Sequence, residues 1–207
     1  MPIISGAARG ISAKRIRPIT SFIRHAIPEV IEVIPERYGD HRGFLSEVWR
    51  RDRFAGEGIA NDWIQENHSR SASAGTVRGL HFQVPPHAQA KLVRVPRGAI
   101  FDVAVDLRLG SPSYGKWVGV ELSAEKWNQL YVPAGFAHGF MTLEPDTEAI
   151  YKVDAPWSRD DERALRWNDP AIGIAWPDIG AGPILSDKDA QAMAFGEFAS
   201  PFAYSAD

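Results

Sequence analysis

IFDVAVDL, residues Ile100–Leu107, is the stretch that decides the fold class. Apolar side chains alternate along it with smaller or acidic ones and so form two faces: Phe101, Val103, Val105 and Leu107 against Asp102, Ala104 and Asp106. A period of two is that of a β-strand. Similar short runs recur along the chain: Gly43–Trp49, Lys91–Val95, Trp117–Leu122, Gln129–Val132, Gly139–Leu143 and Ala149–Val153.

Turn-forming residues separate these runs, as at Pro85-Pro86 and Gly110-Ser111-Pro112. Many short strands with such turns indicate a mainly β fold, whether a sandwich, a jelly roll or a barrel. Helix is scarce, and the pattern predicts two short helices, Asp52–Gly58 and Asp187–Met193, with Asp187 as the N-cap of the second. Neither a G-x-G-x-x-G motif nor a Walker loop occurs, so nicotinamide and ATP chemistry have no support.

Composition excludes several classes of protein. The 207 residues carry 23 basic and 26 acidic side chains, whereas a nucleic-acid-binding protein usually has a large basic excess. There is no cysteine, which excludes disulfides, thiol nucleophiles and thiolate zinc sites. The absence fits a reducing compartment, and we expect a cytoplasmic protein. No run of about 18 apolar residues predicts a membrane span.

The first 24 residues differ from the rest of the chain. No acidic residue precedes Glu29, while five residues are basic: Arg9, Lys14, Arg15, Arg17 and Arg24. An Arg-rich, acid-poor start is typical of a mitochondrial transit peptide. Pro2, Gly6, Gly10 and Pro18 interrupt any amphipathic helix, however, so a flexible basic extension is favoured. We therefore predict an extension over residues 1–24 and one domain with a C-terminal tail over residues 25–207.

Polar residues cluster inside the strand-like segments. The segments are QENHSRS (Gln65–Ser71), RGLHFQ (Arg78–Gln83), AQAKLVR (Ala88–Arg94), GFAHGF (Gly135–Phe140) and AIYKV (Ala149–Val153). Taken singly, His81 and Tyr151 are best interpreted as structural, Lys91 and Arg94 as an exposed strand face, and Arg42 as a turn residue. Charged groups are rarely buried unless they are paired, and a barrel interior holds a small ligand. The combination therefore favours a ligand cavity.

Ordered motifs over nearly the whole chain after residue 24 resemble the dTDP-4-dehydrorhamnose 3,5-epimerases. Besides the polar segments just given, the matching stretches are GDHRGFLSE (Gly39–Glu47), Asp102–Glu125, QLYVPAGFAHGF (Gln129–Phe140), YKV (Tyr151–Val153), WNDPAIGIAWP (Trp167–Pro177) and LSDKD (Leu185–Asp189). The resemblance implies a cupin-type jelly-roll barrel with a few short helices, a homodimer and no cofactor.

The resemblance also implies roles for individual residues. His81 of R-G-L-H-x-Q falls on the general base, and Asp189 on the aspartate that orients it. Tyr151 of Y-K falls on the proton donor, and Lys91 on the cation beside the enolate. Family substrate-binding positions fall on Arg42, Glu47, Gln65, Asn67, Arg78, His138, Glu162 and Lys188, and Tyr38 lies where an aromatic residue helps to hold the thymine ring.

One stretch departs from the family pattern. Adjacent tyrosines usually follow Y-K, near the position that packs on the nucleotide base, but here the sequence reads DAPWS, with Pro156 and Trp157. A tryptophan can stack on thymine equally well. It can also mark a different base preference.

The expected reaction is cofactor-free inversion of carbons 3 and/or 5 of a dTDP-linked 4-keto-6-deoxyhexose, as in the biosynthesis of L-rhamnose or a related deoxysugar. A competing hypothesis is a metal-dependent cupin oxygenase or isomerase, since PAGFAH matches the second cupin motif with His138 at the ligand-like position. The first motif, however, offers H-x-Q in place of H-x-H, and two histidines make a poor site, so we predict no metal. The motifs are also compatible with a single-carbon epimerase and with a non-catalytic sugar-nucleotide-binding module.

Overall fold

The computed structural model describes residues 20–180 and 182–205. In these residues the elements are β1 (Ser21–Arg24), β2 (Ile31–Ile34), β3 (Tyr38–Asp40), β4 (Gly43–Leu45), α1 (Arg51–Ala55), β5 (Gln65–Ser71), β6 (Val77–Gln83), β7 (Lys91–Arg97), β8 (Ala99–Asp106), β9 (Trp117–Ser123), β10 (Gln129–Val132), β11 (Phe136–Thr142), β12 (Thr147–Val153), β13 (Glu162–Ala164), α2 (Asp187–Ala190) and a 3₁₀ turn (Phe195–Glu197). The predicted mainly β fold is confirmed.

Two antiparallel sheets face each other. One has six strands in the order β1-β2-β10-β7-β12-β5, and the other has five in the order β13-β6-β11-β8-β9. Strands β3 and β4 form a separate hairpin, which we call the arm (Tyr38–Leu45). Apart from β1–β2 and β8–β9, neighbouring strands in the sheets are not consecutive in the chain, which is the arrangement of a jelly roll.

Strand β8 shows how the apolar residues are shared between layers. Its predicted apolar face, represented by Val103 and Val105, turns away from the opposite sheet and packs under the C-terminal segment with Leu165 and Phe202. Its other face lies between the two sheets, where Ala104 joins a core drawn from both of them. The acidic residues of IFDVAVDL are therefore on an interior face, and Asp102 and Asp106 are both 0% exposed.

A third layer covers the outer face of the six-stranded sheet. There Val33 and Leu92 pack with Phe54 of α1 and with Ile59. Both sheets are thus covered on the outside by irregular chain, which leaves the space between them as the interior. Full burial of one aliphatic or aromatic side chain in these layers stabilises the folded chain by about 1.5–3 kcal/mol.

Close contact between β6 and β11 requires glycine. A Cβ atom at Gly79, where φ is +127°, would lie 2.6 Å from the Cα atom of Gly139. The pairing of β11 with β6 shifts register between His138 and Phe140. His81 and His138 are directly opposite each other in this pairing. The glycines therefore bring two histidine-bearing strands together at one place.

Several predicted boundaries differ from the structure. The strand predicted at Gly43–Trp49 ends at Leu45, and the helix predicted at Asp187–Met193 ends at Ala190. The N-cap of α2 is Ser186 rather than Asp187, because the Ser186 side chain accepts the hydrogen bond from the backbone N–H of Asp189.

The predicted basic extension, residues 1–24, lies outside the described residues up to residue 19. Its last four residues, Ser21–Arg24, form β1 and pair with β2. Four residues assigned to the predicted extension therefore belong to the six-stranded sheet. In the described part of the chain no helix is long and apolar enough to cross a membrane.

Candidate active site

A cavity of about 400 Å³ opens between the two sheets, and we call it the main lobe. It is lined by residues of β6, β7, β11, β12 and α2, among them His81, Lys91, Arg78, His138, Tyr151, Lys188 and Asp189. A smaller space of about 150 Å³, the rim lobe, shares His81, Lys91 and Tyr151 with it. The rim lobe adds Gln65, Asn67, Trp157 and Glu162. Eleven of the fourteen predicted site residues therefore surround one connected cavity.

His81 and Asp189 form the first histidine–aspartate pair of the cavity. The Nε2 atom of His81 lies 2.5 Å from Oδ1 of Asp189, and the aspartate side chain is only 5% exposed. Ser186 fixes the carboxylate by donating from its hydroxyl to Oδ2 over 2.9 Å. Burial alone would raise the pKa of Asp189, but the hydrogen bond and charge of His81 hold it below the ordinary value. The carboxylate is therefore charged and orients the imidazole.

Tyr151 faces this pair from the other sheet. It lies on β12 of the six-stranded sheet, whereas His81 lies on β6 of the five-stranded sheet. Both side chains line both lobes. Burial raises the pKa of Tyr151 above 10, so the phenol keeps its proton at neutral pH. The geometry thus places an imidazole and a phenol on opposite walls of a shared space.

Lys91 is buried at the floor where the two lobes meet. Its Nζ atom donates to the backbone carbonyl of His81 over 3.1 Å. Burial lowers the pKa of Lys91 to about 8, although the charges of Asp102 and Glu162 oppose the shift. The ammonium is therefore present at neutral pH and lies in a weakly hydrated site, where its field is strong.

His138 and Asp102 form a second pair, deeper than the first. The Nε2 atom of His138 lies 2.7 Å from Oδ1 of Asp102, with side chains 7% and 0% exposed. Burial lowers the pKa of His138 despite the attraction of Asp102. The Oδ2 atom of Asp102 has no hydrogen-bond partner in the described residues. Asp102 was not predicted as a site residue; the signal for it was an acidic residue on one face of an otherwise apolar strand.

Two further sets of charged side chains line the cavity wall. Lys188 of α2 and Glu162 of β13 form an ion pair at 2.6 Å. Burial would raise the pKa of Glu162, but hydrogen bonds from Lys188 and Trp157 keep it below the ordinary value. Arg78 donates from Nε to the hydroxyl of Ser71 over 3.2 Å. Together with Lys91, these cations favour an anionic ligand.

Three predicted site residues lie away from the cavity in this chain: Tyr38, Arg42 and Glu47. Tyr38 and Arg42 belong to the arm, where Arg42 is paired with Asp40. Glu47 follows the arm and pairs with Arg50 at 3.6 Å and Arg53 at 3.3 Å. Motif matching along the sequence did not reveal that these residues lie apart from the rest of the site.

The histidines and carboxylates of the cavity do not form a metal centre. Within residues 20–180 and 182–205, no group of three or more histidine, cysteine, aspartate or glutamate side chains is placed to hold a metal ion. Each cavity histidine instead bonds to its own aspartate. The hypothesis of a metal-dependent cupin therefore gains no support from these side chains.

Comparison with known proteins agrees with this geometry. Residues 24–197 match the family described as dTDP-4-dehydrorhamnose 3,5-epimerase. The chain belongs to this family. A dTDP-4-dehydrorhamnose 3,5-epimerase from Sinorhizobium fredii is 54% identical over 179 residues, which are 86% of this chain and 91% of the relative.

Solved structures of the epimerase family give the same result. The enzyme from Legionella pneumophila, in complex with dTDP-4-keto-L-rhamnose, has a TM-score of 0.86 and 40% identity and covers 90% of this chain and 100% of its own. The enzyme from Bacillus anthracis, with TDP and PPi bound, has a TM-score of 0.82 and 44% identity, with coverage of 85% and 99%. The predicted family, cupin-like fold and isomerase class are confirmed.

Proposed function

We propose that this epimerase inverts carbons 3 and 5 of a dTDP-linked 4-keto-6-deoxyhexose, with His81 as the base and Tyr151 as the acid. The observation that carries the proposal is the placement of these side chains on opposite sheets around one cavity. Inversion of a carbon requires removal of a proton from one face and delivery of a proton to the other. A cofactor is not needed, because the keto group at carbon 4 acidifies both neighbouring carbons.

In the first step, His81 takes the proton from the carbon next to the carbonyl. The electron pair of the broken C–H bond moves into the carbonyl, which becomes an enolate oxygen, and the imidazole becomes imidazolium beside Asp189. General base catalysis of this kind contributes about 10²–10⁴-fold. The Lys91 ammonium stabilises the enolate oxygen, and a preorganised cation in a dry site contributes roughly 3–4 kcal/mol.

In the second step, Tyr151 donates its phenolic proton to the opposite face of the same carbon. The enolate electrons re-form the carbonyl, and the configuration of that carbon is inverted. Solvent returns a proton to the phenolate and removes one from the His81 imidazolium, so the reaction is a net isomerisation. The raised pKa of Tyr151 keeps the donor protonated until this step.

The remaining cavity residues bind the substrate in this proposal. Arg78 and Lys188 offer cations to the diphosphate, and arginine suits this because its guanidinium is planar and bidentate. Trp157, which is 56% exposed at the rim lobe, offers a face for the thymine ring. The remaining polar side chains bind the sugar hydroxyls and the polar groups of the thymine ring. They are those of His138, Gln65, Asn67 and Glu162.

We further propose a homodimer in which the arm of one subunit completes the cavity of the other. The arm exposes Phe44 by 52% and Leu45 by 74%, and apolar exposure of this size on one short hairpin is typical of an interface. Exchange of arms would carry Tyr38, Arg42 and Glu47 to the partner's cavity. A cytoplasmic location remains a prediction from the sequence.

Complementation between subunits tests the exchange of arms. Subunits with His81→Asn and subunits with Arg42→Ala, coexpressed, should form heterodimers in which one cavity has both an intact His81 and an intact partner arm. Activity should therefore exceed that of either variant alone. Coexpression of Arg42→Ala with a chain that carries both substitutions provides the matched control, and equal activity in both mixtures would contradict the exchange.

NMR in deuterium oxide tests the reaction itself. With the dTDP-linked 4-keto-6-deoxyglucose substrate, deuterium should enter at carbons 3 and 5, and the product should have both centres inverted. Label and inversion at one carbon would identify a single-carbon epimerase instead. A purified chain that produces neither label nor product would overturn the proposed function.

A further inference from the structure

The side chain of Gln83 is buried and bonded to two separate loops. It lies on β6, two residues after His81, and is 3% exposed. Its Nε2 atom donates to the carbonyl of His87 over 2.6 Å and to that of Pro156 over 2.9 Å. Its Oε1 atom accepts from the backbone N–H of Ser158 over 2.6 Å. One amide therefore ties the β6–β7 turn (residues 84–90) to the β12–β13 loop (residues 154–161).

The side-chain amide of Gln83 holds the backbone on both sides of Trp157. Pro156 and Ser158, the two chain neighbours of Trp157, are the residues held in the β12–β13 loop. The Trp157 side chain is exposed and lines the rim lobe, and its hydrogen bond to Glu162 contributes to the lowered pKa of that carboxylate. An exposed aromatic ring on fixed backbone is a preformed binding surface.

Other bonds join the same two segments. Gln89 donates from Nε2 to the carbonyl of Ala155 over 2.6 Å, and the backbone N–H of Ala90 donates to Asp154 over 2.7 Å. His87 and Asp161 are paired through Nδ1 and Oδ2 at 2.6 Å. Within this set, Gln83 is the member that holds the backbone on both sides of Trp157.

Order in this loop has a direct effect on binding. Fixing the backbone of one residue costs about 1–2 kcal/mol, and a loop that is mobile in the free protein incurs this cost when the ligand binds. A loop that is already fixed in the free protein does not incur this cost. The buried amide also accounts for H-x-Q in place of H-x-H, since the Gln83 side chain is fully engaged by backbone groups.

We propose that Gln83 is a positioning residue that fixes the β12–β13 loop so that Trp157 receives the base of the nucleotide. This inference rests on the proposed function, because it takes the ligand to be a dTDP-linked sugar. Gln83 then affects binding of ligands that carry a base and leaves binding of the bare diphosphate unchanged.

Calorimetric titration with dTDP and with inorganic pyrophosphate tests the proposal. Stacking on an aromatic ring is worth about 5- to 100-fold in affinity, so Gln83→Leu should raise the Kd for dTDP within that range. The Kd for pyrophosphate should stay within about twofold, because pyrophosphate lacks the base. Equal losses for both ligands, or an unchanged Kd for dTDP, would overturn the proposal.

Asn128→Leu is the matched control. Asn128 is 2% exposed, and its amide also makes three hydrogen bonds, to Glu32, Glu121 and Ser123, but it lies outside both lobes. The Asn128→Leu variant should lose stability as Gln83→Leu does, but its affinity for dTDP should not fall selectively. If Gln83→Leu does not fold, Gln83→Glu retains the acceptor for Ser158 and removes the donors, and the same contrast between ligands is expected.

A double-mutant cycle with Trp157→Ala separates positioning from direct contact. If Gln83 acts through the ring, Gln83→Leu should raise the Kd for dTDP little further once Trp157 is alanine. Additive losses would contradict the proposal. A wild-type chain that does not bind dTDP would refute the proposed function, whereas wild-type binding with unchanged Gln83 variants would refute this inference alone.

Discussion

The cavity contains two histidine–aspartate pairs of similar geometry and different access. His81 is 30% exposed and bonds to Asp189 of α2 at 2.5 Å, whereas His138 is 7% exposed and bonds to Asp102 of β8 at 2.7 Å. The two histidines are register partners on β6 and β11. The first pair can exchange protons with a ligand and with solvent. The second is enclosed, and burial lowers the pKa of its imidazole, so it suits neutral hydrogen bonding.

We propose that access, rather than the pairing itself, separates the base from the binding residue in this cavity. Both pairs have a carboxylate that fixes the tautomer of the ring. Of the two histidines, His81 lines both lobes and faces Tyr151 across them, whereas His138 lines the main lobe alone. We therefore assign proton removal to His81 and substrate contact to His138.

Exchange of each histidine for asparagine gives the largest expected difference. His81→Asn should lower kcat by about 10²–10⁴-fold, since it removes the base. His138→Asn should lower kcat/KM by about 5- to 100-fold, the range for loss of a buried hydrogen bond. Steady-state kinetics on the two variants measures both, and equal losses would remove the distinction between the pairs.

Lys91 lies between the pairs, and its charge gives a pH dependence. Lys91→Met should lower kcat by about 10²–10³-fold through loss of enolate stabilisation. In the wild-type chain the ammonium is present below its pKa of about 8 and lost above it, so kcat/KM should fall as pH rises through that value. Lys91→Arg keeps a positive charge across this pH range, so the residual activity of that variant should not fall as pH rises through about 8. An identical alkaline fall in both chains would assign the titration to another group.

The aspartates give the smallest expected difference. Asp189→Asn should lower kcat by about 10- to 100-fold, because a charged hydrogen bond to the forming imidazolium is lost. Asp102→Asn should lower it less, as His138 is not protonated in the reaction. Kinetics with circular dichroism as a check of folding tests the order. A larger loss for Asp102→Asn would mean that the buried carboxylate supports Lys91 more than Asp189 supports His81.

Alternation along the chain was enough to predict a mainly β fold, and β8 shows which question it left open. The period of two in IFDVAVDL separated the faces correctly, but the pattern does not state which face is inside. The apolar face packs under the C-terminal segment, and the face with Asp102 turns toward the cavity. A carboxylate on that face becomes recognisable as a site residue only when the structure shows its hydrogen bond to His138.

Motif matching assembled most of the site but did not place the arm. His81, Lys91, Tyr151 and Asp189 come from four elements that the sheets bring together, so their roles could be proposed from sequence and their meeting seen in the structure. Arg42 and Glu47 were also predicted from family motifs, but Arg42 lies on the exposed arm and Glu47 lies just after it. Sequence carries no signal for which subunit's cavity a residue completes.

Deuterium exchange in the Tyr151→Phe variant is the sharpest test of proton removal by His81 and proton donation by Tyr151 on opposite faces of the sugar. If the base and the acid lie on opposite faces of the sugar, His81 should still remove protons in deuterium oxide, so that label enters at carbons 3 and 5 while inversion slows by a larger factor. Equal loss of exchange and inversion in this variant, or inversion at the wild-type rate, would contradict the account.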